Sequence, residues 1–305
     1  MHTVGPVLVR TVLILVSVAA GFTACGESSS AREGGRIAVV TSFYPLEFAA
    51  QRVGGPCVSV TDLTPPGVEP HDLELAPDDI AAVASADVVL YLGGGFQPAL
   101  EEAMQEAQGR TVDLLRVVPT QPVPSGGEVG LSVDPHIWLD PSRFRAIAER
   151  IGSVLREAAP GCAGVAARTA ELVQRLDRLD EGFRSGLARC ASHTIVTNHA
   201  AFGYLASAYG LKQEAIAGLE PETEPSARRL AELKDLVQQL GITTIFTEEL
   251  VSPKVADTLA TEAGVRTQVL FTIEGLTDEE AAAKKDYVSL MEENLDALHR
   301  ALGCD

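Results

Sequence analysis

The chain has 305 residues, enough for two domains with separate cores rather than one small fold. Hydrophobic residues make up 46% and charged residues 22%, the balance of a water-soluble globular protein. The formal net charge of -18 at pH 7 argues against nucleic acid as a partner, because phosphate recognition needs a basic face.

The chain opens on an export signal. Arg10 precedes the apolar run TVLILVSVAAGF at 11–22, followed by Thr23, Ala24, Cys25 and then GESSSAREGG. The run is too short to span a bilayer comfortably and ends in small residues. The small-residue–Cys junction resembles a lipobox, in which the cysteine is lipidated and becomes the mature N-terminus. The alternative is an ordinary cleaved signal with an incidental cysteine. This reading gives a signal peptide at 1–24 and a polar, flexible tether at 25–35. The mature chain is then extracytoplasmic and anchored to the cell membrane through lipidated Cys25.

Beyond the tether, strands and helices alternate. RIAVVTSF at 36–43 is a buried strand, LEFAAQRVG at 46–54 a helix closing on glycine, and CVSVTDLT at 57–64 a second strand. PDDIAAVASA, DVVLYLG, QPALEEAMQEAQG and TVDLLRV continue as helix, strand, helix and strand. Residues 119–135, with Pro and Gly but no periodicity, form a loop that holds Glu128 and Asp134 and no histidine. Residues 141–160 are helical, and a longer helix runs from about 163 to 188, about 40 Å by helix rise. After Cys190 the alternation restarts with TIVTN, AAFGYLASAYG, KQEAIAG, a Pro/Glu-rich loop, SARRLAELKDLVQQLG, TTIFTE, SPKVADTLATEAG and TQVLF. The amphipathic helix DYVSLMEENLDALHRALG closes the chain. The rhythm predicts an α/β fold of two similar parallel-sheet lobes, 36–160 and 190–305, joined by one linker helix at 161–189.

Four cysteines lie beyond Cys25, none in a C-x-x-C pair, and an even count in an exported chain suggests disulfides. Cys162 and Cys190 flank the long helix, too far apart to bond. Cys57 opens a strand of the first lobe, and the linker helix should begin at that same end, near Cys162. Cys190 precedes the first strand of the second lobe, where the closing helix should bring Cys304. The expected pairs are Cys57–Cys162 and Cys190–Cys304; four buried free thiols are the alternative.

Three histidines sit where a strand runs into a loop or helix: His71 in PPGVEPHDLEL, His136 in SVDPHIWLDP and His199 in TIVTNHAAFGYL. Ligands of α/β sheets bind beyond the carboxyl ends of strands, so all three imidazoles can meet in a cleft between the lobes. Three imidazoles and one further donor suit a tetrahedral zinc ion. His193, before its strand, and His299, on the closing helix, read as solvated.

At these residues the chain resembles the metal-binding receptors of bacterial zinc and manganese ABC importers, the cluster A-I solute-binding proteins. The resemblance covers nearly all of the mature chain and rests on SFYPLEFAAQRVGG, the PHDLEL segment, DPHIWLDP, TNHAAFGYLASAYGL and IFTEELVSPKVADTLATEAGV. It implies metal ligation by His71, His136 and His199, and the third histidine implies zinc rather than manganese as the carried ion. It also implies delivery to an ABC permease and its ATPase, with no catalysis. A monomer is expected. The family's fourth ligand is often an Asp in an L-D-P segment near the last strand; here Phe271 and Thr272 stand in that place. A water, Glu249 or, preferred on the resemblance, Glu248 is left as the fourth ligand.

Three other functions compete. A zinc-dependent hydrolase also uses three histidines and an open position, with Glu248 as its general base, but H-E-x-x-H and G-x-S-x-G are absent from the sequence. A receptor for a chelated metal or small solute would need more aromatic and Arg residues than Trp138 and Tyr204. Cell adhesion is a secondary role that the resemblance allows. The linker helix predicts modest tilting of the lobes around the ion, with the permease reopening the closed form.

Overall fold

The computed structural model describes residues 1–3, 5, 35–123 and 130–305. Cys25, nearly all of the leader and tether, and residues 124–129 with Glu128 lie outside them. The first sheet holds β1 (Ile37–Thr41), β2 (Val58–Asp62), β3 (Val88–Tyr91) and β4 (Arg110–Asp113), with helices α1 (Tyr44–Gly54), α2 (Pro77–Ser85) and α3 (Pro98–Ala103) in the crossovers. Then come α4 (Pro141–Ala158) and α5 (Val165–Gly186). The second sheet holds β5 (Thr194–Thr197), β6 (Lys212–Ala215), β7 (Thr244–Thr247) and β8 (Arg266–Val269), with α6 (Gly203–Tyr209), α7 (Ala227–Gln239) and α8 (Lys254–Ala263) between them. The short α9 (Asp278–Ala282) and the closing α10 (Tyr287–Leu302) follow.

Both sheets are wholly parallel and share one topology, β2-β1-β3-β4 and β6-β5-β7-β8. Every strand therefore delivers its carboxyl end to the same edge of its sheet. The central strands are buried on both faces, as the near-continuous apolar runs IAVV and VVL require. One hydrophobic core runs between the halves, joining Phe43, Trp138 and Phe144 to Phe183, Phe202 and Tyr287. Helix α5 packs on α4, α1 and α10, so it is braced along its length by both halves of the chain.

Two strands end earlier than the sequence reading has them, and one helix is added. The strand expected through Val117 ends at Asp113, whose carboxylate accepts from the Gly93 and Leu115 amides and turns the chain into a 3-10 turn at Leu114–Val117. The strand expected through Phe271 ends at Val269, because Asn294 of α10 pairs with both the amide and the carbonyl of Phe271, at 2.7 Å each. Helix α9 was not expected, although Thr277 and Glu280 form its capping box.

The cysteines pair as expected, Cys57 with Cys162 and Cys190 with Cys304. Each bond ties the start of a strand to a helix end on the side away from the strands' carboxyl ends. The second is extended by backbone hydrogen bonds from Ala191 and Ser192 to Gly303 and Leu302. Each disulfide contributes about 2–4 kcal/mol of stability.

Candidate metal centre

Four side chains from the segments that follow β2, β4, β5 and β8 converge between the sheets. His71 sits in a 3-10 turn, Pro70–Asp72, after β2, with its amide donating to Glu69. His136 lies beyond β4, directly before the turn Ile137–Leu139. His199 stands directly beyond β5, and Glu274 lies in the loop beyond β8. Their donor atoms all lie within 4.8 Å of one another. The side chains of His71, His136, His199 and Glu274 are 1%, 0%, 0% and 0% exposed, so water is excluded from the group.

Four of the donor separations lie near those of a tetrahedral ion, and all lie within 4.8 Å. Four donors at zinc distances of about 2.0–2.1 Å stand about 3.3–3.4 Å apart at the corners of a tetrahedron. His199 Nε2 is 3.3 Å from His136 Nε2. Glu274 Oε1 is 3.4 Å from His136 Nε2, 3.6 Å from His71 Nε2 and 3.8 Å from His199 Nε2. Glu274 Oε1 and His71 Nε2 are buried and make no hydrogen bond, and His71 Nδ1 has only the Glu220 carboxylate beside it, at 3.3 Å. Buried polar atoms left in this state cost free energy unless an ion takes them up.

Carboxylates behind the rings fix which nitrogen faces inward. Asp134 Oδ1 lies 2.8 Å from His136 Nδ1 and also accepts that residue's backbone amide. Glu248 Oε2 lies 2.6 Å from His199 Nδ1, while its other oxygen accepts the His199 amide. A proton held on Nδ1 by a carboxylate leaves Nε2 as the lone-pair donor. Phe96 packs edge-on against His71 at 4.8 Å, and Trp138 lies 5.2 Å from His136, forming an apolar wall.

Glu274 reaches the group through a constrained loop. Glu249 accepts from the amides of Thr272 and Ile273, and Trp138 Nε1 donates to the Thr272 carbonyl. Ile273 is held at φ 56, a left-handed conformation that is costly for a β-branched residue. Burial pushes the Glu249 carboxyl up to about 8 despite the amides it accepts.

The structure thus brings His71, His136 and His199 together as expected, but leaves Glu248 out of the group. Glu248 stands behind His199 with its carboxylate committed to that ring. Glu274, which sequence reasoning missed, brings its Oε1 among the three imidazoles instead. Glu249, the other acid considered, braces the Glu274 loop. His193 is exposed and His299 half-buried, both away from the group.

Charge in the group is set by the same contacts. Burial alone would depress His71, but Glu220, Glu274 and Glu69 outweigh it and push it up to about 10. Burial also opposes the charge on His136, yet Asp134 and Glu274 raise it to about 9. Glu274 would be raised by burial, but His136, His71 and His199 hold it well below the usual carboxylate range. At pH 7 a cation must therefore displace a proton from each of the first two rings. Cation binding is expected to release about two protons, with apparent affinity rising as pH increases from neutrality toward about 9–10, where both rings lose their protons. Calorimetry in buffers of different ionisation enthalpy measures this, and zero release would show that both rings are already neutral.

A family model described as the periplasmic zinc-uptake complex component A, ZnuA, matches residues 39–301. The chain belongs to the ZnuA family. It is 37% identical over 301 residues to the zinc-binding lipoprotein AdcA of Streptococcus pneumoniae, covering 94% of this chain and 60% of AdcA. The chain thus spans about 60% of the length of the AdcA relatives. It is 34% identical to the high-affinity zinc uptake system protein ZnuA of Bacillus subtilis, covering 92% of this chain and 93% of that one. Among solved structures, the Zn(II)-bound ZnuA-like domain of Streptococcus pneumoniae AdcA aligns with TM-score 0.75 and 36% identity, over 88% of this chain and 99% of that domain. The laminin-binding protein Lmb of Streptococcus agalactiae, described as both adhesin and metal transporter, aligns with TM-score 0.80 and 29% identity, over 88% and 99% of the two chains. The two-lobed ZnuA-like fold is therefore that of this chain.

Proposed function

We propose that the protein is an extracytoplasmic zinc receptor that binds one ion through His71, His136, His199 and Glu274 and delivers it to an ABC permease with its ATPase. The observation that carries this reading is the buried group of four donors whose atoms converge within 4.8 Å, with several separations near those of a tetrahedral zinc site. Two donors come from each half of the chain, so closing the lobes assembles the site and opening them dismantles it. Relatives named for zinc binding and high-affinity zinc uptake support the same cargo. Imidazole nitrogens favour zinc over manganese, which prefers oxygen donors. Attachment through lipidated Cys25 and a monomeric state belong to the proposal.

Hydrolysis is disfavoured by the same geometry. A catalytic zinc keeps one position open for water, whereas four donors here occupy the tetrahedron. Glu248, the residue that would serve as general base, is 1% exposed in its side chain and bound to His199. The test is uptake and binding together. Metal-free protein should take up one equivalent of zinc and hold it at least about 100-fold more tightly than manganese. Cells lacking the protein should lose labelled-zinc uptake at low external zinc and regain it with the intact chain. Unchanged uptake in the deletion strain would sink the transport reading.

A further inference from the structure

All three imidazoles have a carboxylate at Nδ1, but the third pair differs in kind. Asp134 is two residues from His136, and Glu248 shares the second lobe with His199, so each travels with its ring. Their side chains are 5% and 1% exposed. His71 belongs to the first lobe, whereas the oxygen 3.3 Å from its Nδ1 is Oε2 of Glu220, from the loop after β6 in the second lobe. The Glu220 side chain is 36% exposed. No other Nδ1–carboxylate pair of this group crosses the cleft among the described residues. A second contact closes the same mouth, the Gly67 amide donating to the Leu276 carbonyl at 2.9 Å.

We propose that Glu220 is a cross-lobe positioning residue: it orients His71 for zinc only when the lobes are closed. The proposal rests on the reading of His71 as a zinc ligand. In the closed form Glu220 favours the tautomer with the proton on Nδ1 and turns Nε2 toward the ion. As the lobes part, Glu220 leaves with the second lobe while His71 stays with the first, so this imidazole loses its orientation before the other two. His71 is then the first donor released, and its exposed partner lies where a docking permease can reach it. Closure and completion of the site become one event.

The experiment measures zinc affinity and dissociation by chelator competition in the full mature chain. Glu220→Ala is expected to weaken binding about 10–100-fold, mostly through faster dissociation, and Glu220→Gln to fall between it and the parent. Unfolding of the metal-free protein should be unchanged, since the side chain is partly solvated. Glu222→Ala removes the same charge from an exposed position on the same loop and should change affinity less than about twofold, given solvent screening. In a His71→Ala background Glu220→Ala should have no further effect. Equal losses from Glu220→Ala and Glu222→Ala, undiminished loss in the His71→Ala background, or no loss from Glu220→Ala would each overturn the proposal. Failure of the site reading itself looks different: there the parent and the His71→Ala variant would bind zinc equally tightly.

Discussion

Replacing His136 with Ala is expected to weaken zinc binding by about 1000-fold or more. The loss has two parts. One of four donors disappears from a site that water cannot readily refill, because the surrounding side chains are buried. The cut also strands its neighbours: Asp134 loses the ring that it holds at 2.8 Å, and Glu274 loses a donor 3.4 Å away. Breaking a buried charged pair by removing one partner costs about 3–5 kcal/mol, which is about two to four powers of ten in affinity. His193→Ala provides the comparison, since that histidine is exposed and should leave affinity unchanged. Chelator competition on both variants reads the result. A loss below tenfold for His136→Ala would mean that the ion sits elsewhere.

The histidines were legible because their signal is topological. In a parallel sheet the segments after the strands lie at the ligand edge; His199 stands two residues beyond β5, and His71 and His136 lie in the longer loops beyond β2 and β4. The disulfides were legible for the matching reason, since strand starts and returning helix ends meet at the opposite edge. The carboxylates were not. Glu248 follows β7 directly, and an acid at that point has the same sequence signature whether it binds an ion or holds a histidine ring. Only the 2.6 Å contact with His199 Nδ1 separates the two roles. Asp134 was more accessible, because D-P-H places a carboxylate two residues before an imidazole and its amide. Glu274 was hidden by its loop. In FTIEGL the natural position for a left-handed turn is Gly275, yet the positive φ falls on Ile273. That choice is enforced from outside the segment, by Glu249 on the amides and Trp138 on the Thr272 carbonyl. No local pattern reports such long-range bracing. The resemblance to relatives with Asp near the last strand drew attention to Phe271, three residues too early.

Glu274→Gln should therefore weaken zinc binding by about 100-fold or more, while Phe271→Asp leaves it unchanged within about twofold. The glutamine keeps the size of the side chain and an oxygen near the ion but removes the negative charge. That charge matters because the site otherwise offers three neutral imidazoles to a divalent ion in a buried setting. His136, His71 and His199 keep Glu274 ionised, so the full charge is present at pH 7 in the parent protein. Phe271 faces a different environment. Its backbone is tied to Asn294, and the Lys285 ammonium lies 5.3 Å from its ring centre. An aspartate there would pair with Lys285 rather than with the ion, and it should not rescue Glu274→Gln in the double variant. Glu248→Gln should fall between the two, at about 10–100-fold, as expected for a group that acts by orienting a ligand. The ranking separates the roles. A large loss from Glu248→Gln with little from Glu274→Gln would transfer the fourth corner to Glu248, and tightening by Phe271→Asp would return it to the last strand.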